Sequence, residues 1–128
     1  EIQLIVLAGY MKLIPNEVVN SYPNKIINIH PALLPAFGGK GCYGMNVHKK
    51  VYKSGAKFTG ATVHFVNNNY DEGHIIAQEI VPVHAKDSPD DIAKRVLKIE
   101  HRLLPEIIKK ICEDKLIWEN NKPWIKIF

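Results

Sequence analysis

Two polar side chains stand at the end of an otherwise apolar segment of this sequence. Asn28 and His30 follow Ile26 and Ile27 and are two positions apart, so on a β-strand both side chains point to the same face. An amide can donate a hydrogen bond to an oxygen that becomes negative during a reaction, and an imidazole can donate or shuttle a proton near neutral pH. A hydrogen-bonded structural pair at a strand end is the alternative interpretation of these two residues.

A carboxylate downstream is the third candidate for chemistry. Asp71 lies in a polar turn before Gly73. If the fold brings Asp71 to His30, its negative charge stabilises the imidazolium and raises the pKa of His30. Glu72 is a weaker candidate, because adjacent side chains point in different directions. The alternative for Asp71 is a turn in which the carboxylate bonds only its own backbone.

Other chemistries have little support in the sequence. The chain has no Gly-x-Ser-x-Gly element, and residues 38–41 are too short and wrongly placed for a phosphate-binding glycine loop. The six histidines lack the spacing of metal ligands, so we predict no metal site. We expect His64 to be a hydrogen-bonded core residue. Surface positions are expected for His48, His74 and His84.

Composition indicates one ordinary globular domain over residues 1–128, with 46% hydrophobic and 23% charged residues. No apolar run approaches the roughly 18 residues of a membrane-spanning helix, and no basic segment opens a signal peptide. The two cysteines suit a reducing cytoplasm. The net charge of +4 fits a solvated surface or a site for anionic substrates. The lysines do not cluster as nucleic-acid binding requires, so neither nucleic acid nor membrane is an expected partner.

The elements that must position these residues alternate between strand and helix. Apolar runs predict strands at residues 3–8, 25–30, 62–66 and 75–83, the first buried on both faces. Helices are predicted at residues 15–22 and 45–53, and a third begins with Ser88 as its cap and is kinked or restarted at Pro105. A hairpin is predicted over residues 116–128. The pattern favours an α/β fold with a partly parallel sheet, whose sites lie at the carboxyl ends of strands.

A longer pattern around Asn28 and His30 is similar to a known family. Asn28-Ile29-His30-Pro31-Ala32-Leu33-Leu34-Pro35 resembles the signature of the folate-dependent formyltransferases, with Ala32 where many members carry serine. Residues 60–66 and 70–73 follow at that family's spacing. Residues 7–11, and Glu100-His101 with Pro105, resemble the branch that acts on glycinamide ribonucleotide. The resemblance implies a Rossmann-like fold with a partly parallel central sheet flanked by helices.

The resemblance also implies a reaction and a site. The formyl group of 10-formyltetrahydrofolate would pass to the amine of glycinamide ribonucleotide in purine biosynthesis, without a metal. Its catalytic residues would be Asn28, His30 and Asp71, and its substrate-binding residues Glu100, His30 and Pro31. Folate would be bound by Leu7, Met11, Lys12, Leu13, Ile14, Asn28, Asn67, Asn68, Asn69, Tyr70 and Asp71. From the residues alone, Leu7, Leu13 and Ile14 fit core packing equally well, and Glu100 fits an exposed helix position.

Three alternatives stay open. Formyltetrahydrofolate deformylase shares the three catalytic residues but transfers the formyl group to water. Methionyl-tRNA formyltransferase also shares them, but needs an RNA-binding domain, for which too little chain follows Trp118. Because the chain opens on a strand and lacks the family's glycine-rich phosphate-binding turn, we expect missing N-terminal strands. The chain would then be inactive without an N-terminal half, and that half or a second copy is the predicted partner. The role of the long loop 37–46 is left unassigned.

Overall fold

The computed structural model describes residues 2–8 and 12–126. The elements in chain order are β1 (Ile5–Leu7), α1 (Asn16–Ser21), β2 (Ile26–His30), α2 (Met45–Ser54), β3 (Phe58–Phe65), β4 (Ile75–Pro82), α3 (Pro89–Cys112), β5 (Leu116–Glu119) and β6 (Lys122–Ile125). Gly55 ends α2 in a left-handed conformation, and Pro15 precedes α1. The α/β class and the C-terminal hairpin predicted from the sequence are confirmed.

The main sheet has the strand order β1-β2-β3-β4. β1 and β2 are parallel, whereas β2, β3 and β4 pair antiparallel, so the sheet is partly parallel as predicted. β5 and β6 form a separate two-stranded sheet. Among the described residues, no helix combines the length and the apolar character that crossing a membrane would require.

The two central strands carry the hydrophobic core on one set of alternating positions. Ile27 of β2 is paired with Phe65 of β3. Both belong to one cluster of buried residues, completed by Ala61, Val63, Ile76, Val81, Ile92, Val96, Leu103 and Ile107. The intervening positions point to the opposite side of the pleat. Those positions are occupied by polar residues, namely Asn28, His30, Thr62 and His64.

The structure of β1 contradicts the prediction that the first strand is buried on both faces. β1 has three residues only, and Val6 is 37% exposed, so the strand is not buried on both faces. Among the described strands β1 pairs only with β2, and an edge strand has a neighbour on one side only. The motif over residues 7–11 continues into Gly9, Tyr10 and Met11, which lie outside the described residues.

β3 begins four positions earlier than the predicted start at residue 62, and Gly60 lies inside it rather than ahead of it. A Cβ atom at Gly60 would overlap the backbone carbonyl oxygen of Glu79 in β4 and lie 2.8 Å from Leu33 Cδ2. Glycine therefore permits the close approach of β4 and of the loop after β2. The residue does not mark a strand boundary, because the constraint comes from neighbours that are distant in sequence.

α3 begins as predicted but does not end or restart at Pro105. The side chain of Ser88 accepts from the backbone N–H of Asp91, whose carboxylate in turn accepts from the N–H of Ser88, completing a capping box. The helix then runs unbroken from Pro89 to Cys112. Leu103 and Ile107 on either side of Pro105 are buried in the core. The packing of these two side chains stabilises the helix at Pro105, although proline has no backbone N–H to donate.

Candidate active site

The structure brings the three predicted catalytic residues to one place. Asn28 and His30 project from the same face of β2, and Asp71 reaches them from the turn after β3. His30 is 3% exposed, and its Nδ1 lies 3.5 Å from Asp71 Oδ1. Asn28 joins them through His64, whose Nε2 lies 3.5 Å from both Asn28 Nδ2 and Asp71 Oδ1. An amide, two buried imidazoles and a partly buried carboxylate thus form one cluster.

The turn that carries Asp71 is held in an unusual backbone conformation. Asp71 has a φ of 53°, in the left-handed region that costs most residues about 1 kcal/mol. Its Oδ2 accepts a hydrogen bond of 3.1 Å from the backbone N–H of Gly39. A Cβ atom at Gly73 would overlap the carbonyl oxygen of Phe65, so the turn closes tightly against the end of β3. Asp71 is aimed at the cluster by this turn and bonds more than its own backbone.

The loop after β2, residues 31–44, supports the same cluster. Thr62 Oγ1 donates to the carbonyl of Ala32 at 2.7 Å and accepts from the N–H of Leu34 at 3.1 Å. Further along the loop, the carbonyl of Phe37 accepts from His30 Nε2 at 2.8 Å. The long loop that the sequence left unassigned therefore supplies backbone groups to both His30 and Asp71.

Burial dominates the electrostatics of His30. Burial lowers its pKa, and the nearby His64 lowers it slightly further, while Asp71 and the Phe37 carbonyl raise it. The net direction is downward from 6.5. Asp71 therefore raises the pKa of His30, as the sequence predicted, but desolvation outweighs this effect.

Asp71 is ionised in the same environment. Burial raises its pKa, but the nearby rings of His64 and His30, which carry positive charge when protonated, and the N–H of Gly39 together outweigh burial. The pKa of Asp71 therefore lies below its ordinary value of 3.8. At neutral pH the resting cluster holds a carboxylate beside a largely neutral His30 imidazole.

A cavity of about 580 Å³ opens in front of this cluster, a size typical of small-molecule sites. Leu13 and Tyr70 belong to its wall and are joined by a hydrogen bond of 3.0 Å between the Leu13 N–H and the Tyr70 hydroxyl. The predicted site residues that line it are Leu7, Lys12, Leu13, Ile14, Asn28, His30, Pro31, Asn67, Asn69, Tyr70, Asp71 and Glu100. Of the other predicted residues, Asn68 is exposed and is not part of the lining, and Met11 lies outside the described residues.

Two histidines of the cavity were missed. His64 is hydrogen-bonded in the core as predicted, but it also contacts Asn28 and Asp71. The surface prediction for His48 is wrong, because this residue of α2 is 5% exposed and lines the cavity. Its Nδ1 has no hydrogen-bond partner among the described residues. Helical spacing could have indicated that His48 is buried, since His48 and the buried Val51 are three positions apart on α2 and so share one face of the helix. His74 and His84 are exposed as predicted.

Metal ligation has no geometric basis in the part of the chain that the structure describes. No group of three His, Cys, Asp or Glu side chains there is arranged to hold an ion. The cavity walls combine apolar side chains with polar and charged groups of both signs, among them Lys12, Lys94 and Asp71. Such walls suit a flat organic molecule with a few hydrogen-bonding atoms.

Glu100 contributes a titratable carboxyl to the opposite wall. It is half-buried on α3, and burial raises its pKa to about 7 from 4.5. The folded protein therefore holds this proton more tightly than the unfolded chain does. Between pH 4.5 and about 7, ionisation of Glu100 increasingly opposes folding as the pH rises.

Replacing Glu100 with glutamine is expected to stabilise the protein at pH 8 and to have little effect near pH 4. The amide keeps the size of the protonated acid and removes the buried negative charge. Urea unfolding of both proteins at several pH values would show this as a stability difference that grows as the pH rises. A difference that is independent of pH would mean that Glu100 is not the group that titrates.

Comparisons with known proteins agree with the geometry. Residues 1–108 match the family described as formyl transferase. A chloroplastic phosphoribosylglycinamide formyltransferase of Arabidopsis thaliana is 54% identical over 98% of this chain and 43% of its own length. Formyltetrahydrofolate deformylase of Bacillus subtilis is 39% identical over 95% of this chain and 39% of its own length.

The structural likeness is equally close. A crystal structure of glycinamide ribonucleotide transformylase 1 from Symbiobacterium toebii has 41% identity and a TM-score of 0.86, covering 97% of this chain and 56% of that chain. This chain thus spans about half the length of the proteins it matches. The cluster, the cavity before it and the match over residues 1–108 together show that the chain belongs to the formyl transferase family.

Proposed function

We propose that this chain carries the formyl-transfer site of a protein that moves a formyl group from 10-formyltetrahydrofolate to the amine of glycinamide ribonucleotide, a step of purine biosynthesis. The observation that carries the proposal is the convergence of Asn28, His30 and Asp71 at the inner end of one cavity. The Arabidopsis relative named phosphoribosylglycinamide formyltransferase supports the choice of acceptor.

The proposed reaction begins with attack of the amine nitrogen on the formyl carbon. A carbon–nitrogen bond forms, and the formyl oxygen becomes an oxyanion, to which an Asn28 N–H donates. The amine nitrogen then loses a proton to the His30–Asp71 pair, and N10 of the folate gains one as its bond to the carbon breaks. The products are the formylated amine and tetrahydrofolate, so atoms and charge balance without a metal or an oxidant.

The resting site places one condition on this chemistry. His30 Nε2 donates to the carbonyl of Phe37, and Nδ1 faces Asp71, so both ring nitrogens have partners within the chain. His30 can therefore donate to the oxyanion only if the bond to Phe37 is broken or shared. In the resting arrangement, Asn28 is the donor with an uncommitted N–H, and His30 acts chiefly through the proton it exchanges with Asp71.

The cavity suits the two substrates on opposite walls. Leu7, Leu13 and Ile14 offer an apolar surface to the flat pterin ring, and the turn with Asn67, Asn69 and Tyr70 offers polar groups. Glu100 lies across the cavity on α3, where a protonated or ionised carboxyl suits the acceptor's amine or hydroxyls. Holding both substrates against His30 and Pro31 lowers the entropic cost of the reaction.

A formyl-transfer assay tests the proposal. The natural-length protein is given 10-formyltetrahydrofolate with glycinamide ribonucleotide, or with water as the only acceptor, and tetrahydrofolate release is followed. Release that depends on the nucleotide and yields its formylated product is the expected result. Equal release without the nucleotide would identify the deformylase alternative, which the Bacillus relative motivates. Activity of the 128-residue chain only after addition of the remaining half would identify the third alternative.

The domain boundaries, the partner and the location are further parts of the proposal. We infer that residues 1–128 act as one domain beside the rest of a longer protein or a second copy. The cytoplasm predicted from the cysteines remains a prediction. The Arabidopsis relative is named chloroplastic, so a plastid is the alternative location, and fluorescence imaging of the tagged natural-length protein would distinguish the two.

A further inference from the structure

His64 occupies the centre of the catalytic cluster without belonging to the predicted trio. Its Nε2 lies 3.5 Å from Asn28 Nδ2 and 3.5 Å from Asp71 Oδ1, and its Nδ1 lies 2.9 Å from the carbonyl oxygen of Phe65. The side chain is buried, at 2% exposure of the residue. The sheet itself builds this position, because His64 is directly opposite Asn28 in the β2–β3 register.

A local irregularity aims the ring. The register between β3 and β4 shifts between Val63 and His64, and such bulges redirect side chains beside functional sites. A residue whose only task was to fill the core would need neither this bulge nor three polar contacts. The geometry therefore gives His64 a function within the cluster.

Hydrogen-bond chemistry fixes the tautomer of both imidazoles. A carbonyl oxygen only accepts, so His64 Nδ1 carries a hydrogen toward Phe65, and in the neutral ring Nε2 carries none. The same rule gives His30 a hydrogen on Nε2 toward Phe37 and none on Nδ1. Both unprotonated nitrogens then face the same carboxylate oxygen of Asp71. A proton added to the cluster could therefore bind to His30 Nδ1 or to His64 Nε2.

The amide of Asn28 determines which of the two imidazoles takes the added proton. Its Nδ2 points one N–H at His64 Nε2 and so fills the position that the added proton would take on that ring. His30 Nδ1 is left as the partner of Asp71. Among the described residues, His64 is the contact of the Asn28 amino group, and Asn28 lines the cavity, so its second N–H is available to a substrate there.

We propose that His64 is a positioning residue of the formyl-transfer site, which fixes the amide of Asn28 and leaves His30 as the proton-carrying partner of Asp71. The inference rests on the proposed function for its kinetic consequences only. Its structural content, an Nε2 of His64 that accepts a hydrogen bond from Asn28, can be measured without any substrate.

Nitrogen NMR of the natural-length protein at neutral pH tests the structural content. With ¹⁵N-labelled histidine, His64 is expected to show a protonated Nδ1 and an unprotonated Nε2, assigned by comparison with His64→Gln. A hydrogen on Nε2, alone or on both nitrogens, would overturn the proposal, because Asn28 could not then donate to the ring.

Kinetics of two substitutions test the functional content. His64→Phe keeps an aromatic ring but removes both ring nitrogens, including the acceptor of the Asn28 hydrogen bond. We therefore expect kcat to fall about 30-fold with KM changed less than about 3-fold, as for an interaction made in the transition state. His64→Gln can place an amide oxygen near the position of Nε2, and is expected to recover kcat to within about 5-fold of the wild type. Equal loss in both variants, or a phenylalanine variant as fast as the wild type, would overturn the proposal.

Matched substitutions at His84 control for the loss of an imidazole. His84 is exposed and does not line the cavity, so His84→Phe and His84→Gln should retain wild-type kinetics. If His64→Phe does not fold, as circular dichroism would show, the glutamine variant and the NMR measurement still decide. A wild-type protein that formylates no amine would defeat the proposed function, while the NMR result would still judge the role of His64.

Discussion

Replacing Asp71 with asparagine is expected to lower kcat by roughly 10³-fold, by analogy with loss of the orienting carboxylate in other acid–base sites. Asparagine fits the same space and tolerates the left-handed φ of 53°, so the fold should be retained. The substitution removes the charge that raises the pKa of His30. The remaining influences, chiefly burial, then lower that pKa further, and His30 can no longer hold the transferred proton.

Two measurements check this expectation together. Steady-state kinetics report the fall in kcat, and an NMR titration of His30 reports its pKa, which should move downward. Glu72→Gln is the matched control, because it removes the adjacent carboxylate, which is exposed and outside the cavity before His30. A loss in Asp71→Asn of less than about 10-fold, or an unchanged His30 titration, would remove Asp71 from the proton path.

Gly60→Ala is expected to destabilise the protein by about 3 kcal/mol, at the upper end of what overpacking costs. The added methyl group would overlap the carbonyl of Glu79 and crowd Leu33. Relief requires β3 and β4 to separate where Gly60 pairs with Ile80. Urea unfolding followed by circular dichroism measures the cost directly.

A second glycine provides the comparison. Gly55 has a φ of 73°, and a Cβ atom there would meet nothing within 4 Å. Gly55→Ala should therefore cost about 1 kcal/mol, from backbone conformation alone. If the two substitutions destabilise equally, close approach of β4 is not what requires glycine at position 60.

The sequence was sufficient to predict that Asn28 and His30 share one face of a strand, because the alternation of side chains with a period of two is a local property of any strand. Their placement on one polar face opposite Ile27 follows from the same rule. The cap at Ser88 is likewise a local feature and was predicted. The fold class followed from the order of such segments.

What the sequence could not provide depends on contacts between distant segments. Asp71 was tied to His30 by resemblance, since nothing near residue 71 indicates its partner. The backbone carbonyl of Phe37 has no sequence signature at all, yet it occupies His30 Nε2. The net direction of the His30 pKa could not be predicted for the same reason, because desolvation depends on everything packed around the ring.

The pairing of β2 with β3 links the geometry of the proposed site to the folding of the sheet. Asn28 stands opposite His64 in the same ladder that sets Ile27 opposite Phe65. Slippage by one residue would expose the apolar members of both strands and bury their polar ones, at a cost of several side chains at once. A misaligned pairing of β2 and β3 that dismantles the proposed site would therefore dismantle the core as well.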